Sequence, residues 1–141
     1  MNVPMNVSLE YKGDKVFKAN TMHTSYTLDI KQITPVEYFA TSTIACTGID
    51  IVMMAEEDGY SIDDYVVTAQ TVRATSVPMK FESFHITYRV KADALSAKKL
   101  QQYVEASLTK YSTTINSIKE SVAIHYTIVL NGKKILEDAA L

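Results

Sequence analysis

Thr34-Pro35-Val36-Glu37-Tyr38-Phe39-Ala40-Thr41-Ser42-Thr43-Ile44-Ala45-Cys46-Thr47-Gly48-Ile49-Asp50-Ile51-Val52 is the stretch whose reading decides the fold. It opens with the marks of a helix start. Thr34 is suited to cap the first amides, Pro35 suits the first helical position, and Glu37 is placed to bond back to the Thr34 amide. Ile33, just before the cap, is placed to pack on Tyr38 as a hydrophobic staple. Val36, Phe39, Ala40, Thr43, Ile44, Thr47, Gly48, Ile51, Val52 and Ala55 then recur at helical spacing. Glu56, Glu57 and Asp58 are solvated, and Gly59 is a good residue just past the end. At 1.5 Å per residue the helix runs about 35 Å. It is nearly uncharged from Tyr38 to Ile49, so it is expected to be largely buried and covered on more than one side.

The flanking segments read as strands. On the N-terminal side, Asn6 to Tyr11, Val16 to Ala19 and Tyr26 to Ile30 alternate in polarity. Lys12-Gly13-Asp14-Lys15 gives a tight turn, because Gly13 tolerates positive φ. Beyond the helix, Tyr65 to Ala74 and Met79 to Val90 are extended, with Val77-Pro78 breaking them. A second helix begins near Ser96, with Leu100, Val104, Leu108, Tyr111, Ile115 and Ile118 as its apolar stripe. The run Ser112-Thr113-Thr114-Ile115 is poor helix material and predicts a break. Val122 to Leu130 is a last strand, and Ile135 to Leu141 is expected to form at most a helical turn. The order βββ-α-ββ-α-β is an α+β pattern over one domain, residues 1–141.

Composition narrows the function classes. The net charge of −2 and pI near 5.9 leave no basic footprint for nucleic acid or an anionic membrane. No apolar run is expected to approach the roughly 18 residues that span a bilayer. Met1-Asn2-Val3-Pro4-Met5-Asn6 lacks the basic and apolar regions of a signal peptide. A single cysteine cannot form an internal disulfide, and a reducing, cytoplasmic compartment is expected. His23, His85 and His125 stand apart without metal-ligand spacing, and no Gly-rich loop is available to cradle a phosphate, so neither a metal nor a cofactor is expected.

Thiol chemistry, if the chain has any, must start at Cys46. A lone cysteine in an apolar helix is ordinarily a small buried hydrophobe. A reactive thiol needs a depressed pKa. Cys46 lies about three turns into its helix, beyond useful reach of that helix's dipole. Its helical neighbours Ser42, Thr43, Ile49 and Asp50 include no cation, and Asp50 would push the thiol up.

Pro35-Val36-Glu37-Tyr38-Phe39, with Ala45-Cys46-Thr47-Gly48-Ile49-Asp50 after it, resembles the central-helix motif of the OsmC/Ohr family. Members start Pro-x-Glu-Leu-Leu and place an Ala/Gly-Cys pair at the spacing kept here by Pro35 and Cys46. Cys-Thr-x-Ile-Asp is the form of OsmC-like branches without an assigned function. Lys110-Tyr111-Ser112-Thr113-Thr114 stands where Lys-Tyr-Cys-Pro-Val is usual. The resemblance implies an OsmC-like fold with a long central helix buried in an intertwined homodimer, and a bacterial oxidative-stress role. It implies an interfacial site where one cysteine attacks an organic hydroperoxide and a second resolves the sulfenic acid. An arginine and a glutamate normally activate the first thiolate.

This chain departs from that pattern. Ser112 occupies the resolving position and is not expected to be active. The activating glutamate usually sits directly after the proline, at the variable position of that start, where this chain has Val36. Glu37 is one residue on, turned by about 100°, and is a weak candidate with a full explanation as a cap. Arg73 and Arg89 come late in the chain, and Lys12, Lys15, Lys18 or Lys31 supply charge without the guanidinium fork. Three readings are open. In the first, Cys46 is a one-cysteine peroxidatic thiol recycled by an external thiol reductant. In the second, a non-catalytic dimer binds a small apolar molecule, with Cys46 only lining the pocket. In the third, Cys46 is a packing residue.

Overall fold

A computed structural model describes residues 2–141, which form two compact units, one ending at Phe39 and one spanning Ala40–Leu141. The first is an antiparallel meander of β1 Ser8–Gly13, β2 Val16–Asn20 and β3 Ser25–Asp29, leading into the start of the long helix. Register pairs Leu9 with Ala19, Tyr11 with Phe17, Phe17 with Leu28 and Ala19 with Tyr26. Side chains alternate along a strand, so these residues share one apolar face. The β1–β2 turn differs from expectation. Positive φ occurs at Asp14 and Lys15 as well as Gly13. Lys31 holds this turn, its Nζ donating to the Asp14 carbonyl at 2.5 Å and pairing with the Asp14 and Asp29 carboxylates.

Helix α1, Pro35–Glu57, begins with the expected capping box. The Glu37 N–H donates to Thr34 Oγ1 at 3.1 Å, and the Thr34 N–H and hydroxyl donate to Glu37 Oε1 at 3.4 and 2.9 Å. Tyr38 meets Tyr26, its hydroxyl donating at 3.1 Å. Thr34→Ala removes the side chain that receives the Glu37 amide. It is expected to lower stability by about 1 kcal/mol in urea unfolding, while Thr34→Ser stays near the parent.

The second unit holds the rest of α1, then β4 Asp64–Arg73, β5 Phe81–Lys91, α2 Ala97–Ala106, a π turn Ser107–Tyr111, α3 Thr113–Ile118, β6 Ala123–Leu130 and β7 Lys133–Ala140. Its sheet runs β4-β5-β6-β7. The β5–β6 pair is parallel, and the α2–π–α3 segment supplies the crossover that such a pair requires. Phe84, Ile86, Tyr88 and Val90 of β5 and Ile124, Tyr126, Ile128 and Leu130 of β6 point to one side of the sheet. There they pack with Leu100, Val104, Leu108 and Ile115 of the crossover and Ile51 and Ala55 of α1.

The fold class is α+β, as expected, and three local expectations are corrected. The tail forms β7, not a helical turn, paired antiparallel with β6. Asn131 and Gly132 both take positive φ, the backbone of a two-residue hairpin turn. Helix α1 is not largely buried within the chain. Thr43, Thr47, Gly48, Ile51 and Ala55 form its buried stripe, whereas Ile49 and Met53 are 52% and 60% exposed. A helix apolar on all sides offers more surface than one sheet covers. Lastly, α1 is by length and composition long and apolar enough to cross a membrane, although its threonines interrupt any strict apolar run. A core helix meets the same criterion, and the buried stripe of α1 packs in the core of its own unit.

Candidate functional site around Cys46

Three elements of the second unit build the surroundings of Cys46. The thiol is half-buried on α1. Ser112, fully buried, lies where the π turn meets α3, and its hydroxyl donates to the Cys46 sulfur at 3.5 Å. Two features of the chain put it there. The Ser112 N–H bonds the Ser107 carbonyl at 2.8 Å, closing the wide π turn. The Ser112 hydroxyl also accepts from the Ile115 N–H at 3.4 Å, capping α3. Thr114 completes the seam, with its hydroxyl donating to the Thr43 carbonyl of α1 at 3.3 Å.

This geometry sets the electrostatics. Burial pushes the Cys46 thiol up, but the Ser112 hydroxyl and the N–H groups of Thr114 and Thr113 favour the thiolate. The net effect holds the thiol below its ordinary value. The groups that lower it are neutral donors, not the arginine that the family resemblance implies. The first turn of α3 supplies what the dipole of α1 cannot.

Behind the thiol runs a buried hydrogen-bond chain that sequence reasoning missed. A carboxylate only accepts, so the Ser107 hydroxyl donates to Asp50 Oδ2 at 2.8 Å. Its oxygen then receives the Thr47 hydroxyl at 2.8 Å, and Thr47 in turn receives the Tyr88 hydroxyl at 2.7 Å. Thr47, Tyr88 and Ser107 are all fully buried. Asp50, expected to push Cys46 up, is thus bonded to Ser107. Tyr65 donates to the Gly48 carbonyl at 3.0 Å, and burial raises both Tyr65 and Tyr88 well above the ordinary phenol range.

The remaining candidates lie elsewhere. Glu37 sits in the capping box at the helix start, within the first unit. Lys31 is engaged by Asp14 and Asp29, and Lys12 pairs with Glu10. Arg73 ends β4, and Arg89 pairs in register with Val66 and Val129. His85 Nε2 meets Thr127 Oγ1 at 2.8 Å, and His125 Nδ1 meets Asp138 at 3.3 Å. Among the described residues no three His, Cys, Asp or Glu side chains gather as a metal site would require.

On another face of α1, Ile44, Ala45, Gly48 and Val52 line an apolar pocket of about 440 Å³ together with Tyr65 and Val67 of β4, and Cys46 is not among the lining residues.

Comparison with known proteins places this arrangement. No curated protein matches the chain. Among solved structures, a hypothetical protein from Aquifex aeolicus is 23% identical, with 93% of this chain and 98% of that chain covered and a TM-score of 0.82. An OsmC-like protein from Mycoplasma pneumoniae is 13% identical over 92% and 99%, with a TM-score of 0.75. An organic hydroperoxide resistance protein OsmC from Legionella pneumophila, described as a redox protein, is 14% identical over 90% and 97%, with a TM-score of 0.61. At these identities the likeness establishes the fold. The family model described as OsmC-like protein matches residues 28–127, most of the chain and both Cys46 and Ser112. The chain therefore belongs to the OsmC-like protein family.

Proposed function

We propose that this chain reduces organic hydroperoxides through Cys46 alone, using an external thiol as reductant. The observation that carries the reading is the half-exposed Cys46 sulfur facing the Ser112 hydroxyl, with its thiolate favoured by neutral donors. The thiolate attacks the terminal peroxide oxygen and the O–O bond breaks. Cys46 becomes a sulfenic acid, and the alkoxide leaves and takes up a proton as the alcohol. A first external thiol condenses with the sulfenic acid, releasing water and forming a mixed disulfide. A second thiol attacks that disulfide, restores Cys46 and leaves as the oxidised reductant. Ser112 cannot form a disulfide, so the internal resolving step is replaced by the external one.

The working form proposed is a homodimer in the cytoplasm, where thiol reductants are at hand. Two exposed apolar surfaces support the dimer. Leu9 and Tyr11 are 57% and 63% exposed on the apolar face of the β1–β3 sheet, and the outer face of α1 is uncovered. The substrate class is a small apolar hydroperoxide.

The test is turnover. Protein with cumene hydroperoxide and excess dithiothreitol is expected to consume peroxide catalytically, and with a dimedone probe but no dithiol to gain one adduct, at Cys46. Peroxide loss no faster than the protein-free rate, with Cys46 unlabelled, refutes the reading.

A second reading is supported by the apolar pocket between α1 and β4: non-catalytic binding of an apolar small molecule there, in a pocket that Cys46 does not line. Native mass spectrometry of the purified protein is expected to show retained ligand mass under this reading and none under the first.

A further inference from the structure

We propose that Ser107 is a positioning residue which, through Thr47 and Asp50, holds the donors around the Cys46 sulfur. The inference rests on reading Cys46 as the reactive thiol and adds the residues that fix its surroundings. Ser107 acts on both sides of the seam. Its carbonyl receives the Ser112 N–H at 2.8 Å, so it sets where Ser112 emerges from the π turn. Its side chain is tied to α1 by two bonds, given to Asp50 and received from Thr47. Thr47 comes directly after Cys46, and Asp50 is one helical turn beyond it. The residue that closes the π turn is therefore anchored to the helix that carries the thiol.

The anchor is ordered in one direction only. Asp50 accepts from Ser107, Ser107 accepts from Thr47, and Thr47 accepts from Tyr88, whose own carbon frame is locked in the core. Fully satisfied buried networks of this kind rigidify what they join. A π turn widens the helical path by one residue, which aims Ser112 and the first amides of α3 toward α1. The β-branched run Ser112-Thr113-Thr114-Ile115 favours a break here, the anchor fixes where it falls, and without the anchor the donors would withdraw from sulfur. Of the titratable groups on α1, β4 and β5, Asp50 and Tyr88 belong to the chain behind the thiol and Tyr65 bonds the Gly48 carbonyl. Lys110 and Tyr111 of the π turn are exposed.

The experiment is the pH dependence of Cys46 alkylation by iodoacetamide, with folding checked by thermal melts. Donors to a thiolate lower its pKa, so their withdrawal raises it. In Ser107→Ala and in the isosteric Thr47→Val, the alkylation midpoint is expected to move up by about 0.5 to 1 pH unit, leaving three- to tenfold less thiolate at a given pH below the midpoint. Thr47→Ser retains the hydroxyl and is expected to keep the parent midpoint. Should Ser107→Ala fail to fold, Thr47→Val decides. An unmoved midpoint in a folded Thr47→Val or Ser107→Ala protein overturns the proposal, as does a rise in Thr47→Ser equal to that in Thr47→Val. Alkylation needs no peroxide, so failure of peroxidase activity leaves this measurement intact and the two failures are separable.

Discussion

Cys46→Ser is expected to reduce hydroperoxide turnover to the protein-free background, a fall of at least about 10³-fold, since losing a covalent nucleophile costs more than losing any supporting group. Sulfur is required for three reasons. A thiol ionises far more readily than an alcohol. Its polarizable lone pair attacks the weak O–O bond. The sulfenic acid it becomes is reopened by a thiol, a step with no oxygen counterpart. Serine is nonetheless a gentle replacement in structural terms. The site is half-buried, and a serine hydroxyl there can keep a hydrogen bond to Ser112. The melting temperature is therefore expected to change little while turnover disappears. Equal peroxide consumption by the two proteins would show that the chemistry, if present, lies elsewhere.

This separation of chemistry from folding reflects how the sequence encodes each. The start of α1 is legible because a capping box is a local device: Thr34, Pro35 and Glu37 lie within four residues. The first six strands are legible from alternation, with their ends displaced by at most two residues. The tail is less so. Asn131-Gly132 is a strong hairpin signal, but the apolar spacing of residues 135–141 suits a helical turn as well as a strand, and only pairing with β6 decides between them. The π turn is hidden for a more interesting reason. Leu100, Val104, Leu108, Tyr111, Ile115 and Ile118 fit a continuous α-helical stripe, yet Tyr111 is exposed. The extra residue in the turn rotates Tyr111 out and Ser112 in. Side-chain spacing alone does not register that rotation.

The candidate site is half legible. The spacing of Pro35 and Cys46 singles out the thiol, and the family pattern singles out Ser112. The buried chain of Tyr88, Thr47, Ser107 and Asp50 leaves no such mark. Its members come from β5, α1 and the start of the π turn, with sequence separations of 41 and 60 residues for the bonds made by Thr47. Each is an ordinary residue in its own segment. Only the parallel placement of β5 and β6, with the crossover laid on α1, brings them together. The groups that favour the Cys46 thiolate also belong to a different chemical class from the one the family pattern suggests. A cation announces itself in a sequence, whereas the first amides of a short helix belong to the backbone and carry no residue signature.

Phe84→Ala is expected to lower the free energy of unfolding by about 3–5 kcal/mol, since it deletes a large buried ring and leaves a cavity the core only partly refills. Phe84 is fully buried on β5, and its ring packs against Phe81 with centroids 4.9 Å apart at 66°. It lies opposite Thr71 of β4 and Ile124 of β6, so the loss is felt on both sides of the strand. Small domains hold roughly 5–15 kcal/mol in all, so this one change removes a large part of the margin. In urea the midpoint should fall with the slope unchanged, because the surface exposed on unfolding is nearly the same. Val77→Ala, at a side chain 85% exposed, should stay within about 0.5 kcal/mol of the parent. Both comparisons must be made at equal protein concentration, because an assembly that binds only the folded chain adds its own stabilisation by mass action. If Phe84→Ala costs under about 1 kcal/mol, the β5 face is not the packed core on which α1 and the π turn are held, and the placement of Ser107 against Thr47 loses its support.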